Sequence, residues 1–89
     1  MKAVLVEFVG TFVFLYVILA TGNFLAIGAA LALCIFIGGK YSGGNFNPAV
    51  TIMMVAAKKQ NIDTLAPYIM AQVLGGITAL ALYQRVITY

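Results

Sequence analysis

Three long apolar runs dominate the chain, and their length restricts it to structures that can hide them from water. The first run, residues 3–21, reads AVLVEFVGTFVFLYVILAT and carries only Glu7 as a charged residue. The second, residues 24–39, and the third, residues 64–84, contain no charge. A helix needs about 20 mostly apolar residues to cross the hydrocarbon core of a bilayer. We therefore predict three transmembrane helices with short connections, in an all-α integral membrane protein.

The composition agrees with this class and excludes several others. Of the 89 residues, 64% are hydrophobic and 8% are charged, whereas soluble domains average about 25% charged residues. Glu7 and Asp63 are the only acids, His is absent, and Cys34 is the only cysteine. These residues are too few for a metal cluster, a carboxylate pair or a nucleophile triad, so we expect neither an enzyme nor a bound metal or cofactor. The basic residues form no cluster, which indicates no nucleic-acid surface.

Residues 40–47, KYSGGNFN, interrupt the apolar pattern with a polar segment that ends at a helix start. Asn47 is a favourable N-cap and Pro48 suits the first helical position, so a short helix is predicted over residues 48–58. At about 1.5 Å per residue, it spans roughly half of a hydrocarbon core of about 30 Å. The residues alone leave two arrangements open: a re-entrant half-helix that dips into the membrane and returns, or a helix lying along the interface.

A re-entrant arrangement would give this segment a function. Irregular backbone within the membrane is tolerated only where protein buries it or where it borders a wet cavity. Gly43 and Gly44 would leave their carbonyls open to such a cavity, and the Asn47 amide could donate hydrogen bonds at its deep end. The positive end of the half-helix dipole would disfavour cations there. Neutral polar solutes would be disfavoured less than cations.

Residues near the span ends predict how the chain sits in the lipid bilayer. Four lysines fall on one side if residues 40–59 enter and leave by the same face, and Arg85 lies on the other side. These lysines are Lys2, Lys40, Lys58 and Lys59. Because basic residues concentrate on the cytoplasmic side, the N-terminus is predicted to be cytoplasmic. Four tyrosines near span ends are expected at the interface: Tyr41, Tyr68, Tyr83 and Tyr89.

Small residues recur every four positions in two of the spans. Ala71, Gly75 and Ala79 form such a stripe in the third span, and Gly28 and Ala32 form a shorter one in the second. Stripes of this kind let helix backbones approach closely. They predict a packed bundle.

The string SGGNFNPAVT, residues 42–51, closely resembles the first signature loop of the major intrinsic proteins, the aquaporin and aquaglyceroporin family, whose hallmark is Asn-Pro-Ala. VEFVGTFVF around Glu7 is similar to that family's first helix, and PYIMAQVLGG, residues 67–76, to its third. Residues 1–89 thus resemble a single half-module, the first half of an aquaporin-like bundle. The resemblance implies the re-entrant arrangement and a passive channel for water or small neutral solutes such as glycerol.

The resemblance also implies roles at the tip of the half-helix and at the filter. Asn47 would donate to the permeating molecule, and Pro48 and Ala49 would pack the tip. Ile27 falls where the family places a filter residue, often an aromatic one. Val50 follows Ala49, whereas the family's second half has a filter Arg after its Asn-Pro-Ala. A pore with Ile27 and Val50 at these positions would be more apolar and less charge-selective than a strict water pore. Such a pore favours glycerol-like solutes alongside water.

The remaining implied roles concern the loop and its support. The carbonyls that would line one vestibule are those of Gly43, Gly44 and Asn45. Phe46 would be its apolar wall. Glu7 would be buried and would brace the loop by accepting backbone N–H bonds, and Gln72 would support helix packing.

Glu7 also permits an interpretation of a different class. An ionisable residue within a span is a functional candidate, and a family of small multidrug transporters uses a first-helix Glu to exchange protons for cationic drugs. That family has four spans and lacks the loop at residues 42–47.

The pore of major intrinsic proteins needs two inverted halves, and residues 1–89 supply one. Two copies could insert in opposite orientations and pair, and such pairs could assemble further around a fourfold axis. The lysine distribution opposes this, because it favours a single orientation. Alternatively, a separate chain could supply the other half. A truncated, nonconducting half-module with a structural role is the third possibility.

Overall fold

The computed structural model describes residues 1–88, and within them it is built from helices joined by short connections. The α-helices are α1 (Lys2–Thr21), α2 (Phe24–Ser42), α3 (Pro48–Ala56) and α4 (Leu65–Thr88), with a 3₁₀ turn at Ile62–Thr64 before α4. The segments Lys2–Thr21, Phe24–Ser42 and Ile62–Ile87 are long and apolar enough to cross a membrane. The predicted all-α membrane fold, with three spans and a short helix, is therefore confirmed. Tyr89 lies outside the described residues.

A tight turn makes α1 and α2 antiparallel neighbours. Gly22 ends α1 in the left-handed conformation, with φ 55°, and donates its N–H to the carbonyl of Ile18. Asn23 then caps α2, because its Oδ1 accepts from the N–H groups of Leu25 and Ala26 at 3.0 and 2.9 Å. The turn therefore satisfies orphan backbone groups at both helix ends.

The second helix is longer than predicted, since it continues past Gly39 to Ser42. The glycines at 38 and 39 keep helical geometry, and the carbonyl of Gly39 accepts from the N–H of Gly43 at 2.8 Å. The helix ends only at Gly43, where φ reaches 90°. A glycine ends a helix when it adopts the left-handed conformation, and its presence alone does not suffice.

The third helix starts at the predicted residue and ends at Ala56, before the predicted residue 58. Lys58 has φ 61° and donates its N–H to Val55, while Lys59 donates to Met54. This pair of bonds is the Schellman arrangement, which satisfies the last carbonyls of a helix. The 9 residues of α3 give a length of about 14 Å.

The position of α3 decides between the two arrangements that the residues left open. Asn47 and Pro48 border the same groove as Thr11 and Gly76, which lie near the midpoints of α1 and α4. The far end of α3 returns to the end of α2, since Asn45 Nδ2 donates to Oε1 of Gln60 at 2.9 Å. The structure therefore has the re-entrant geometry, in which the half-helix begins at mid-span and runs back to the side it came from.

The helix α1 lies at the centre of the bundle and packs closely against α4. A Cβ built on Gly75 would lie 2.8 Å from the carbonyl oxygen of Phe8 and 3.1 Å from the nitrogen of Phe12, so the two backbones nearly touch. Ala71 and Ala79, on the same stripe, are buried. The predicted packing role of this stripe is confirmed. The shorter stripe, at Gly28 and Ala32, was predicted to pack in the same way. This prediction is wrong at Gly28, because nothing in residues 1–88 lies within 4 Å of a Cβ built there.

Candidate functional site

The carboxylate of Glu7 is fully buried. It lies at the centre of a group of hydrogen-bonded side chains and backbone N–H groups, called the Glu7 network below. Its Oε2 accepts from Ser42 Oγ at 2.7 Å and from the N–H of Asn45 at 3.0 Å. Its Oε1 accepts from the N–H of Phe46 at 2.7 Å and from Gln72 Nε2 at 2.8 Å. Hydrogen bonds to a carboxylate are stronger than those between neutral groups. The loop after α2 is therefore held against α1 by a single side chain.

Thr51 joins the half-helix to this network. Its Oγ1 accepts from Asn45 Nδ2 at 2.9 Å and from Gln72 Nε2 at 2.7 Å, and the residue is fully buried. The network continues to the far end of α3, where Gln60 accepts from Asn45 and donates to Thr64 Oγ1 at 2.8 Å. Thr51 thus fixes α3 to the loop and to α4, and Gln60 joins the loop to the 3₁₀ turn.

Phe46 forms the apolar support of the loop. It adopts φ 55°, which is unusual for a residue with a bulky side chain, and only 2% of it is exposed. Its ring lies where side chains of α1 and α2 would otherwise be: a Cβ on Gly10 would come within 2.7 Å of the ring, and one on Gly38 within 3.3 Å. The two glycines therefore create the space that this ring fills.

Asn47 follows at the tip of the half-helix, and its amide orientation is fixed by its capping role. The Oδ1 accepts the N–H of Ala49 at 2.7 Å, so Nδ2 points away as a donor. Within residues 1–88, no group accepts a hydrogen bond from it. Asn47 is exposed, and it borders a groove of about 550 Å³.

This groove, called the Asn47 groove below, is mainly apolar. It is lined by α1 side chains between Thr11 and Leu19, by α4 side chains between Gln72 and Leu80, and by the loop residues Phe46, Asn47 and Pro48. Two buried oxygens on its walls, Thr11 Oγ1 and Gln72 Oε1, have no hydrogen-bond partner within residues 1–88. Buried polar atoms are rarely left unpaired. Because these two oxygens are enclosed by protein, the free donor that the groove presents at its surface is the Asn47 amide.

The structure brings only some of the sequence-predicted site residues together. Phe46, Asn47 and Pro48 line the Asn47 groove, whereas its described lining includes no residue of α2, so Ile27 is not part of it. Ile27 lies half-buried in the first turn of α2, and Val50 half-buried in the first turn of α3.

The two loop glycines adopt the backbone conformation that favours glycine. Gly43 has φ 90° and Gly44 has φ 67°. A Cβ on Gly44 would also lie 3.4 Å from the Cα of Gly39 and from the side chain of Ile35. The turn between α2 and the re-entrant loop therefore depends on both.

Several network residues were missed from the sequence, and one was misplaced. Tyr68 was expected at the interface, but it is buried and its hydroxyl donates to the carbonyl of Ser42 at 2.7 Å. Ser42, Thr51 and Gln60 were not assigned roles. A signal for Ser42 and Thr51 was present, because both are polar residues beside or within apolar helical segments, where an unpaired polar group is costly.

Comparison with known proteins decides the family. The profile of the Major intrinsic protein family matches residues 1–89. The chain belongs to this family. The proteins of this family are membrane channels and not enzymes. No solved structure matches it.

The curated relatives that the chain resembles include a glycerol uptake facilitator-like protein, an aquaglyceroporin and an aquaporin. The chain is 40% identical over 90 residues to glycerol uptake facilitator protein-like 6 of Lactiplantibacillus plantarum, covering 91% of the chain and 42% of the relative. It is 47% identical over 66 residues to aquaglyceroporin-2 of Rhizophagus irregularis (70% and 21%) and 45% identical over 60 residues to aquaporin Z of Photorhabdus laumondii (67% and 26%). The chain thus spans less than half the length of these relatives.

Proposed function

We propose that this chain forms one half of a passive channel for water and small neutral solutes such as glycerol. The observation that carries the proposal is the Asn47 amide, which is held at mid-span with its oxygen engaged by Ala49 and its Nδ2 free to donate. A donor fixed in this way can replace a hydrogen bond that a water or alcohol oxygen loses on leaving bulk water. The relatives, which include a glycerol uptake facilitator-like protein and an aquaporin, support this class of solute.

The charge distribution supports neutral passengers over ions. The N-terminal end of α3 presents a positive dipole end beside Asn47, which disfavours cations. The Glu7 carboxylate, the one acid within α1, α2 and α4, is enclosed by four donors, so a passing cation cannot contact it. The same enclosure disfavours the proton-exchange interpretation, since protonation of Glu7 would remove acceptors from the groups that hold the loop.

A complete pore requires a second half that covers the Asn47 groove. An inverted copy of the chain would bring a second Asn47 to mid-span, and four such pores could assemble as a larger oligomer. A complementary chain would achieve the same without dual insertion, which the four lysines oppose. In either complex, Ile27 and Val50, which lie outside the Asn47 groove, are proposed to line a filter beyond it. The carbonyls of Gly43, Gly44 and Asn45 are proposed to line one vestibule.

A nonconducting half-module is the second candidate function. It is favoured by the open Asn47 groove, which no part of the described residues covers. In this case the Glu7 network would maintain a membrane-embedded structural element without a pore.

Flux measurements on proteoliposomes containing only this chain distinguish the two candidates. Osmotic shrinkage followed by light scattering reports water flux with an impermeant solute and glycerol flux with glycerol. The decisive variant is Asn47→Asp, because an Asp side chain still caps α3 but replaces the free donor with an acceptor. The matched control is Asn23→Asp, which keeps the cap of α2 and lies outside the Asn47 groove.

Flux above that of empty liposomes, lost in Asn47→Asp and retained in Asn23→Asp, supports the channel. Flux that is equal in the parent and both variants removes Asn47 from the pore. No flux from correctly inserted protein supports the nonconducting half-module or a need for a complementary chain. Co-reconstitution with the second half of a relative then separates those two outcomes.

A further inference from the structure

A second apolar groove lies between α1 and α2, and of its lining residues it shares Phe46 with the Asn47 groove. It has a volume of about 640 Å³, and its walls include Leu5, Val9, Val13, Leu33 and Ile37. It ends at Tyr41, near the lysine-bearing end of the bundle, and is called the Tyr41 groove below. Gly10, Gly38 and the Phe46 ring also line it.

Two lysine ammonium groups lie beside the ring of Tyr41, which lines the end of this groove. Lys2 Nζ lies 5.6 Å and Lys40 Nζ 5.3 Å from the centre of the Tyr41 ring. One lysine begins α1 and the other lies in the last turn of α2, so the antiparallel pairing of these helices brings them together. Such distances are typical of cation–π contacts.

These cations have no anionic partner within residues 1–88. Glu7 is fully buried and enclosed by its own donors. Asp63, the other acid, is exposed in the 3₁₀ turn before α4 and makes no salt bridge. Two like charges placed at one aromatic ring repel each other, and an anion between them would relieve the repulsion.

We propose that the Tyr41 groove binds an anionic phospholipid from the leaflet on the lysine side. The headgroup phosphate lies between Lys2 and Lys40, and one acyl chain follows the groove. The stretch from Leu5 to Val17 that borders the groove is about 18 Å long, close to the depth of one leaflet of a core of about 30 Å. Basic groups at this level attract anionic lipids. This inference requires a membrane but does not depend on whether the chain conducts.

The charge arrangement favours a lipid over a second protein chain as the occupant. An acyl chain matches the apolar walls along the whole groove, and a phosphate matches the two cations at its end. A protein partner would have to provide both an apolar ridge and an anionic group at the level of the headgroups. A lipid provides both in one molecule.

Native mass spectrometry of the purified chain in a neutral detergent tests the proposal. The chain is titrated with phosphatidylglycerol and, separately, with phosphatidylcholine carrying the same acyl chains. The parent is expected to bind phosphatidylglycerol on the order of tenfold more tightly, because each lysine adds attraction to an anionic lipid. Equal binding of the two lipids overturns the proposal.

A pair of double variants separates a local site from a general effect of charge. Lys2→Gln with Lys40→Gln should abolish the preference for phosphatidylglycerol. The matched control, Lys58→Gln with Lys59→Gln, removes the same charge from the same end of the bundle but not from the Tyr41 groove. It should keep the preference. An equal loss in both double variants would show that only net charge matters and would contradict the site.

A further pair of variants tests the acyl-chain path. Val13→Phe places a ring in the Tyr41 groove and should reduce binding of phosphatidylglycerol while leaving both lysines in place. Val86→Phe makes the same substitution at an exposed position of α4 that does not line the groove, and should bind like the parent. The groove does not hold an acyl chain if the Val13→Phe variant binds phosphatidylglycerol as tightly as the parent. The same conclusion follows if the parent forms dimers that release the lipid.

Discussion

The backbone N–H of Phe46 donates a 2.7 Å hydrogen bond to Oε1 of Glu7. In making this contact, Phe46 adopts a left-handed backbone conformation, with φ 55°. This conformation costs roughly 1–2 kcal/mol for a residue with a Cβ. The bond and the burial of the ring offset that cost. Since Asn47 is the next residue, the position of the proposed solute donor depends on this contact.

The Glu7→Gln variant should be markedly less stable than the parent. One carboxylate oxygen becomes an NH₂ group that faces hydrogen-bond donors, either Ser42 and Asn45 or Phe46 and Gln72. Each buried donor left without an acceptor costs about 1–3 kcal/mol. Thermal unfolding in detergent should therefore show a clearly lower midpoint, and flux should fall with it. Asp63→Asn, which changes an exposed acid, is the control, and equal midpoints for both variants would mean that Glu7 does not brace the loop.

The Gly10→Ala variant tests the space that the Phe46 ring occupies. The added Cβ would come within 2.7 Å of the ring, and overpacking of this kind costs typically about 1–3 kcal/mol. Gly28→Ala is the matched control, since nothing lies within 4 Å of that Cβ and Ala favours a helix by about 1 kcal/mol over Gly. Opposite shifts of the unfolding midpoint are expected. A Gly10→Ala protein as stable as Gly28→Ala would show that the ring does not pack there.

The Tyr68→Phe variant removes the hydroxyl that donates to the carbonyl of Ser42 at 2.7 Å. We expect a loss of about 0.5–1.5 kcal/mol, the usual net value of a hydrogen bond, measured as reduced resistance to unfolding in mixed micelles. Tyr83→Phe serves for comparison, because the edge contact of its ring with Tyr16, with centroids 6.2 Å apart, survives the change. The interpretation fails if the two variants lose stability to the same extent.

Accessibility labelling in whole cells tests the orientation. In a Cys34→Ala background, Lys59→Cys and Arg85→Cys place single thiols near opposite ends of the bundle. With the predicted cytoplasmic N-terminus, a membrane-impermeant maleimide added outside should label the thiol at 85 and not the one at 59. Labelling of both from outside would demonstrate dual insertion, which an inverted homodimer requires.

Sequence features that act over short stretches of the chain were sufficient to predict the main helices. The spans follow from apolar length, and the start of α3 follows from Asn47 as N-cap and Pro48 in the first turn, because both effects act within a few residues. The ends of helices were harder. The end of α2 depended on which glycine adopts positive φ, and the sequence shows four glycines between residues 38 and 44.

The network around Glu7 could be predicted only in part, because its members are distant in sequence. The resemblance implied bracing by Glu7, but Ser42, Asn45 and Gln72 reach it across 35, 38 and 65 positions. Tyr68 illustrates the limit. A tyrosine near a span end fits the interface as well as a buried hydrogen bond, and only the packing of α4 against the end of α2 decides between them.

The arrangement of partners around Glu7 also has a consequence for biosynthesis. A ribosome makes α1 before the loop and α4, so the carboxylate enters the translocation machinery before any of its four donors exists. Insertion of α1 must therefore proceed with an unpaired polar group, which disfavours early release into lipid. The arrival of Ser42, Asn45 and Phe46, and finally of Gln72, removes that penalty. We expect α1 to remain beside the translocon until α4 has been synthesised, so that the chain leaves as one assembled unit.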